Sequence, residues 1–195
     1  MVICHDRVLD RYGYPGLAVS RLTWKELQQL DLGAWFGKKF VGERMLHLAE
    51  LFEQFRRRVT YHIEIKEPAR GIEESLLRLI SDHQVHRQVI VTSFHYDALA
   101  TIRQLNPEIR MGWLVRKSGL TAVNVARAAA IGCLQICPHL EDLVANRVRE
   151  AHETLQEVRA HHVVSREDAW RVVNTGCDGL TINHPEWLEH VDGAP

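Results

Sequence analysis

The chain of 195 residues carries 24 lysine and arginine residues against 25 aspartate and glutamate residues, a formal net charge of −1. This balance excludes the whole-molecule positive field that recruits nucleic acid or an anionic membrane surface. Its only close cysteine pair, Cys133 and Cys137, lacks the further Cys or His spacing of a zinc site. The sequence shows neither a secretory leader nor a membrane-spanning stretch, so we expect a soluble, cytoplasmic protein.

Helical and strand patterns alternate along the chain. Residues 45–57 carry apolar side chains at the three-and-four spacing of an amphipathic helix, and a strand at 61–66 follows. Further helices are predicted at 71–85, 97–105, 124–132, 140–155 and 166–176. Further strands are predicted at 88–94, 110–115, 133–137, 157–164 and 179–183. This alternation predicts an α/β protein with six parallel strands joined by right-handed crossovers.

Six β/α steps fit either an open doubly wound sheet or most of an eight-stranded barrel, and periodicity alone does not separate the two. Polar residues collect at the predicted carboxyl ends of the strands, which form the functional edge in both architectures. The glycine-rich phosphate loops of nucleotide-binding sheets do not occur in the sequence. We therefore expect a (β/α)8 TIM-barrel type of fold with about six βα units, and a doubly wound ligand-binding domain is the remaining architectural alternative.

The first predicted strand, "YHIEIK", places His62, Glu64 and Lys66 on one face and Ile63 and Ile65 on the other. One interpretation is an antiparallel sheet whose charged face lies in water. The other is a charged face directed into the mouth of a barrel. There a carboxylate can hold a divalent metal and an ammonium group can lie beside a phosphate.

Two adjacent histidines, His161 and His162, lie in the predicted strand 157–164. Side chains alternate along a strand, so we expect these two to point to opposite faces. This arrangement would prevent joint coordination of one metal ion.

Several segments together resemble the glycerophosphodiester phosphodiesterase family. The opening "VICHDRVLDR", the segment "LTWKELQQLDLGAWFG" and the strand "HIEIK" match, in order, a strand ending in His-Asp, a following "t..el..ld.g" segment and a strand ending in Glu-x-Lys. "VTSFHYDALATIRQLNP" is similar to the family's Ser-Phe segment, and "GCDGLTINHP" to its closing Gly-x-Asp-Gly motif. The resemblance implies one barrel domain over 1–195, with a cap or insertion at 1–44 and βα repeats at 45–195.

The resemblance also implies an activity, the hydrolysis of glycerophosphodiesters to glycerol 3-phosphate and an alcohol by metal-assisted acid/base catalysis. His5 matches a histidine that transfers protons, and Lys66 a lysine that neutralises charge on the phosphoryl oxygens. Glu64 matches a carboxylate ligand of Mg²⁺ or Ca²⁺. Phe94, of the Ser-Phe segment, and His161, which stands where the family carries a tryptophan, are candidate substrate-binding residues.

Two family motifs do not occur in this sequence, a first strand ending in His-Arg-Gly and a second ending in Glu-x-Asp. We therefore expect a chain that lacks the first two barrel strands and carries an incomplete metal site. A partner chain or a missing N-terminal segment would complete the barrel. The alternative function is that of a catalytically inactive or fragmentary family member, acting as a binding or partner-completed domain, so the resemblance leaves the enzymatic assignment open.

Overall fold

The computed structural model describes residues 1–188 and contains two compact units. The first unit combines Met1–Val59 with Ser75–Val85, and the second combines Thr60–Glu74 with the chain from His86 onward. The division into a cap and a set of βα repeats stays a prediction. The end of the predicted domain, residues 189–195, lies outside the described part of the chain.

The first unit consists mainly of short helices and hydrogen-bonded turns. Its helix α1 (Trp24–Leu27) begins at Thr23, whose hydroxyl accepts the backbone N–H of Glu26 while the Glu26 carboxylate accepts the backbone N–H of Thr23. This reciprocal capping satisfies two donors that a helix start otherwise leaves unpaired. A longer helix, α2 (Leu48–Phe55), follows. The buried residues at the centre of the unit are Leu9, Leu27 and Met45.

The second unit repeats strand and helix. Its strands are β1 (Tyr61–Glu64), β2 (Val89–Ser93), β3 (Arg110–Leu114), β4 (Gln135–Cys137), β5 (Glu157–Ala160) and β6 (Gly179–Leu180). The chain continues from β1 into α3 (Ile72–Asp82), which belongs to the first unit from Ser75 onward. The later helices are α4 (Tyr96–Leu105), α5 (Ala122–Ala130), α6 (Ala145–His152) and α7 (Arg166–Asn174). Helix α4 packs against β2 and β3, and α5, α6 and α7 pack against β4, β5 and β6 respectively. Within residues 1–188, none of the helices has both the length and the apolar character needed to cross a membrane.

The six strands form one sheet in the order β1-β2-β3-β4-β5-β6, and every neighbouring pair is parallel. A doubly wound sheet reverses its strand order at a switch point. A consecutive order with right-handed crossovers instead places successive helices on one face, as in a TIM barrel. The α/β class, the six strands and the TIM-barrel type are therefore confirmed, and the doubly wound alternative is wrong.

The two faces of the sheet differ in chemistry. Glu64 is level with Thr92, and this row continues through Gly112 and Gln135 to Glu157. The preceding row, which contains Ile63, Val91 and Met111, is apolar and points to the opposite face, with Val91 and Met111 fully buried. We call the face that carries Glu64 the inner face, since the helices cover the apolar one.

The helix predicted at 140–155 is wrong in its first part. The chain forms a single 3-10 turn at Leu140–Asp142, becomes extended at Leu143 with φ −76° and ψ 115°, and only then enters α6. The Asp142 carboxylate accepts backbone N–H groups from the loop after β3. This contact with a distant segment competes with a continuous helix and leaves no signal in the local apolar spacing.

Candidate active site

Side chains from five strands meet at the carboxyl edge of the sheet, because parallel strands all end at the same edge. The residues concerned lie one or two positions after the ends of the strands. They are Lys66 after β1, Phe94 after β2, Arg116 after β3, His139 after β4 and His161 after β5. In barrel folds this edge holds the active site, so it is the candidate site here.

Glu64 and Lys66 form an ion pair at the end of β1, with 2.6 Å between Glu64 Oε2 and Lys66 Nζ. Two bonds hold the chain between them beside β2. The backbone N–H of Ile65 donates to the Thr92 carbonyl at 2.8 Å, and the Ser93 hydroxyl donates to the Ile65 carbonyl at 2.8 Å. Because the strand pairs are all parallel, the antiparallel alternative for this charged strand is wrong.

A series of rings continues along the edge from β2 to β5. Phe94 and His161 meet edge to face with ring centroids 5.4 Å apart. His139 lies edge to face with His161 at 5.5 Å and stacks on His162 at 4.4 Å. The guanidinium carbon of Arg116 lies 5.2 Å from the centroid of the Phe94 ring. We call Phe94, Arg116, His139, His161 and His162 the ring wall.

His161 is held in one orientation by the backbone. Its Nε2 lies 2.9 Å from the Val115 carbonyl oxygen, which can only accept, so we assign the ring proton to Nε2. Burial lowers the pKa of the His161 imidazole below its ordinary value, which keeps the ring neutral near pH 7. The neutral ring then presents Nδ1 as a hydrogen-bond acceptor.

The expectation that His161 and His162 point to opposite faces is wrong. Strand β5 ends at Ala160, and His162 adopts a φ of 65°, in the left-handed region that residues other than glycine seldom enter. The alternation of a strand therefore stops before the pair. Both histidines contact the same ring, that of His139.

His5 belongs to the first unit and lies in a bend. Its Nδ1 is 2.7 Å from Asp6 Oδ1, and its side chain is 70% exposed. Arg11 Nε lies 3.1 Å from the other carboxylate oxygen of Asp6. The Asp6 contact orients the imidazole and leaves Nε2 for proton exchange with solvent or substrate.

Asp142 supports the loop that carries Arg116, and the sequence analysis did not single it out. Its carboxylate accepts the backbone N–H groups of Ser118 at 2.7 Å, Gly119 at 2.9 Å and Leu120 at 3.3 Å. Asp142 itself is buried, with 6% of its surface exposed. Three donors on one buried carboxylate hold the loop in a single conformation. Arg116 and His139 could have been found from the sequence by their places just after predicted strands, whereas Asp142 could not.

Across residues 1–188, no group of three or more His, Cys, Asp or Glu side chains is arranged to hold a metal ion. The carboxylate of Glu64 is engaged by the ammonium group of Lys66. Since Mg²⁺ and Ca²⁺ require about six or more oxygen ligands, these residues do not by themselves fit a divalent ion.

The structure brings four of the predicted site residues together in two pairs. Glu64 contacts Lys66, and Phe94 contacts His161. His5 lies in the other unit, with Asp6 and Arg11 as its local partners. The roles predicted for these residues stay predictions.

The consecutive parallel sheet, with its charged pair and ring wall at the carboxyl edge, defines an α/β protein of the TIM-barrel type with a polar site at the usual edge. The sequence matches the glycerophosphoryl diester phosphodiesterase family over residues 1–187, and the chain belongs to that family.

Related proteins agree with this assignment. A glycerophosphodiester phosphodiesterase of Caldanaerobacter subterraneus subsp. tengcongensis is 28% identical over 192 residues, which cover 96% of this chain and 78% of the relative. One from Bacillus subtilis is 25% identical over 209 residues, covering 98% and 71%. An Oleispira antarctica phosphodiesterase, solved in complex with the product sn-glycerol-3-phosphate, superposes with a TM-score of 0.85 at 24% identity and covers 98% of this chain and 79% of that one. A Parabacteroides distasonis glycerophosphodiester phosphodiesterase superposes with a TM-score of 0.80 at 16% identity, covering 97% and 76%. Likeness at these levels of identity supports the fold.

Proposed function

We propose that this protein hydrolyses glycerophosphodiesters to glycerol 3-phosphate and an alcohol. Family membership supports the reaction class, and the product bound in the Oleispira antarctica relative supports a glycerol phosphate as the common part of the substrate. The observation that carries the proposal is the Glu64–Lys66 pair at the carboxyl end of β1, with Nζ 2.6 Å from the carboxylate.

Lys66 is the group that we assign to the phosphate. Its side chain keeps 33% of its surface exposed, so the ammonium group can reach a ligand while Glu64 holds it in place. In hydrolysis, the oxygen of water forms a new bond to phosphorus while the bond to the alcohol oxygen breaks. Negative charge grows on the phosphoryl oxygens during this exchange, and a fixed cation stabilises it.

His5 is the residue that we assign to proton transfer. Water loses one proton as it bonds to phosphorus, and the departing alcohol oxygen gains one. An imidazole can perform both transfers near neutral pH. The Asp6 contact at Nδ1 keeps the ring oriented with Nε2 available.

Glu64 is our candidate ligand for Mg²⁺ or Ca²⁺, the ions that the resemblance implies. When bound, such an ion supplies positive charge to the phosphate. Because the side chains of residues 1–188 do not form a complete site, no step above passes through a metal. The same observation favours a second candidate function, a family member that binds a phosphodiester without turnover. Cytoplasmic location likewise stays a prediction.

The test is product formation by the purified chain with glycerophosphocholine and glycerophosphoglycerol as substrates. Free glycerol 3-phosphate is measured with Mg²⁺, with Ca²⁺ and with a chelator. We expect turnover to fall in Lys66→Gln, Glu64→Gln and His5→Asn. Turnover should be retained in the control Lys25→Gln, which changes an exposed lysine of α1. A folded chain that binds the diesters but releases no product under any of these conditions would establish the binding function instead.

A further inference from the structure

The ring wall offers a donor and an acceptor side by side. Nδ1 of His139 accepts the backbone N–H of Glu141 at 3.1 Å, so we assign the ring proton of His139 to Nε2. His161 has the same tautomer, but here Nε2–H is already directed to the Val115 carbonyl, and Nδ1, without a proton, is the nitrogen left to accept. In the chain as far as residue 188, no other hydrogen bond engages His139 Nε2 or His161 Nδ1.

This donor and acceptor pair matches the chemistry of a hydroxyl group. A hydroxyl both donates and accepts, so one alcohol group can bond His139 Nε2–H and His161 Nδ1 at the same time. The two rings are close enough to share a ligand, with centroids 5.5 Å apart. The stack of His139 on His162 limits rotation of the donor ring.

A different contact makes the wall unfavourable for a cationic group. Choline and related quaternary ammonium groups are recognised by the faces of aromatic rings. The face of Phe94 already carries the Arg116 guanidinium at 5.2 Å. A second cation could not bind to that face of the ring, and the positive charge of Arg116 would repel it.

Arg116 supplies a permanent positive charge to the wall. Lys117 is paired with Glu141, whereas Arg116 forms no ion pair with an acid in the described part of the chain. Among the acidic groups near the wall, Glu64 is paired with Lys66, and Asp142 is buried against backbone N–H groups. The wall therefore presents a guanidinium that has no acidic partner in the described residues.

The loop that carries Arg116 is held in place before any ligand arrives. Asp142 bonds three consecutive backbone N–H groups of this loop. A Cβ atom at Gly119 would lie 2.5 Å from the Arg116 carbonyl oxygen, so the loop also depends on glycine at that position. A side chain on a rigid loop can discriminate between ligands, because little order is lost on binding.

We propose that the ring wall selects glycerophosphodiesters whose leaving alcohol is an uncharged polyol and disfavours those with a quaternary ammonium head group. His139 and His161 bind a hydroxyl of the polyol, and Arg116 excludes the ammonium group from Phe94. The proposal rests on the proposed function, since it concerns the alcohol that the same site would release.

The test compares glycerophosphoglycerol with glycerophosphocholine by direct calorimetric binding and by turnover. We expect the polyol diester to bind at least about tenfold more tightly. In Arg116→Ala, binding of the choline diester should improve about fivefold, because the Phe94 face becomes available. In His139→Phe, the affinity for the polyol diester should fall about three- to tenfold, while the affinity for the choline diester should be unchanged.

Arg147→Ala, which removes an exposed arginine of α6, is the control and should leave the ratio of the two affinities unchanged. Equal binding of the two diesters by the unaltered protein, or binding of neither, would overturn the selectivity proposal. Turnover is scored separately. Selective binding without product would support the ring wall and reject hydrolysis, and turnover of both diesters with equal efficiency would do the reverse.

Discussion

The two edges of the six-stranded sheet use their charged side chains differently. At the amino edge, the Arg103 guanidinium donates to the carbonyl oxygens of Ile131 at 2.9 Å, Ile109 at 3.1 Å and Gly132 at 2.7 Å. It also donates to that of Pro107. At the carboxyl edge, Glu64 bonds to Lys66, and the residues of the ring wall contact one another. Charge at the amino edge is used to anchor backbone, and charge at the carboxyl edge stays accessible to a ligand. This difference separates stability from function in one sheet.

The largest expected effect tests the carboxyl edge. Lys66→Gln should lower turnover by roughly 10²–10³-fold, because it removes a fixed charge that stabilises the transition state. The free energy of unfolding should change by less than about 1 kcal/mol, since partly exposed ion pairs contribute little. Steady-state kinetics and urea denaturation measure the two quantities. A loss of stability that accounts for the loss of activity would contradict the assignment of Lys66 to function rather than to stability.

The next effect tests the amino edge. Arg103→Met should lower the free energy of unfolding by about 2–4 kcal/mol, because four carbonyl groups lose a charged donor. Turnover per folded molecule should stay within about twofold, since Arg103 lies at the opposite edge from the site. Arg171→Met, at an exposed position of α7, is the matched control. A selective loss of kcat with unchanged stability would reverse the roles assigned to the edges.

Asp142 is an exception to this difference between the edges, because it lies at the carboxyl edge and holds backbone N–H groups there. Asp142→Asn should destabilise the protein by about 1–3 kcal/mol, since an amide NH₂ would replace one acceptor that faces backbone donors. The freed loop should also lower the discrimination between polyol and choline diesters. Urea denaturation and the binding ratio are compared with Glu153→Gln, an exposed change after α6. Unaltered stability and an unaltered ratio together would show that the loop does not need this carboxylate.

The smallest expected effect is on the stability of the protein at acidic pH. Burial lowers the pKa of His161 in the folded state, so the unfolded state, with a pKa of about 6.5, binds more protons below that pH. This contribution to stability is complete above about pH 6.5 and is lost as the pH falls through the lower folded value. The fall in Tm between pH 7.5 and 5.5 should therefore be smaller in His161→Phe than in His95→Asn, an exposed control. Equal falls in the two variants would show that His161 does not contribute to acid sensitivity.

Much of the fold was predictable because strand and helix periods are local properties. The period of two in "YHIEIK" and the apolar run at 88–94 each correspond to a strand of the structure. The sequence-based predictions were wrong where the local pattern does not decide the backbone conformation. The predicted helix at 140–155 is interrupted where Asp142 bonds a loop more than 20 residues away, and the predicted alternation at His161 and His162 ends in a left-handed turn.

The sequence by itself determined the α/β class, the six strands found among residues 1–188 and the family, because hydrophobic spacing and motif order are local features of the chain. It also placed Glu64 and Lys66 on one face of a strand. Only the tertiary structure decided the strand order that separates a barrel from a doubly wound sheet. It also decided the ring wall, whose members come from residues 94 to 162. Contacts between residues far apart in sequence depend on register and on loop conformation, and neither quantity has a local period.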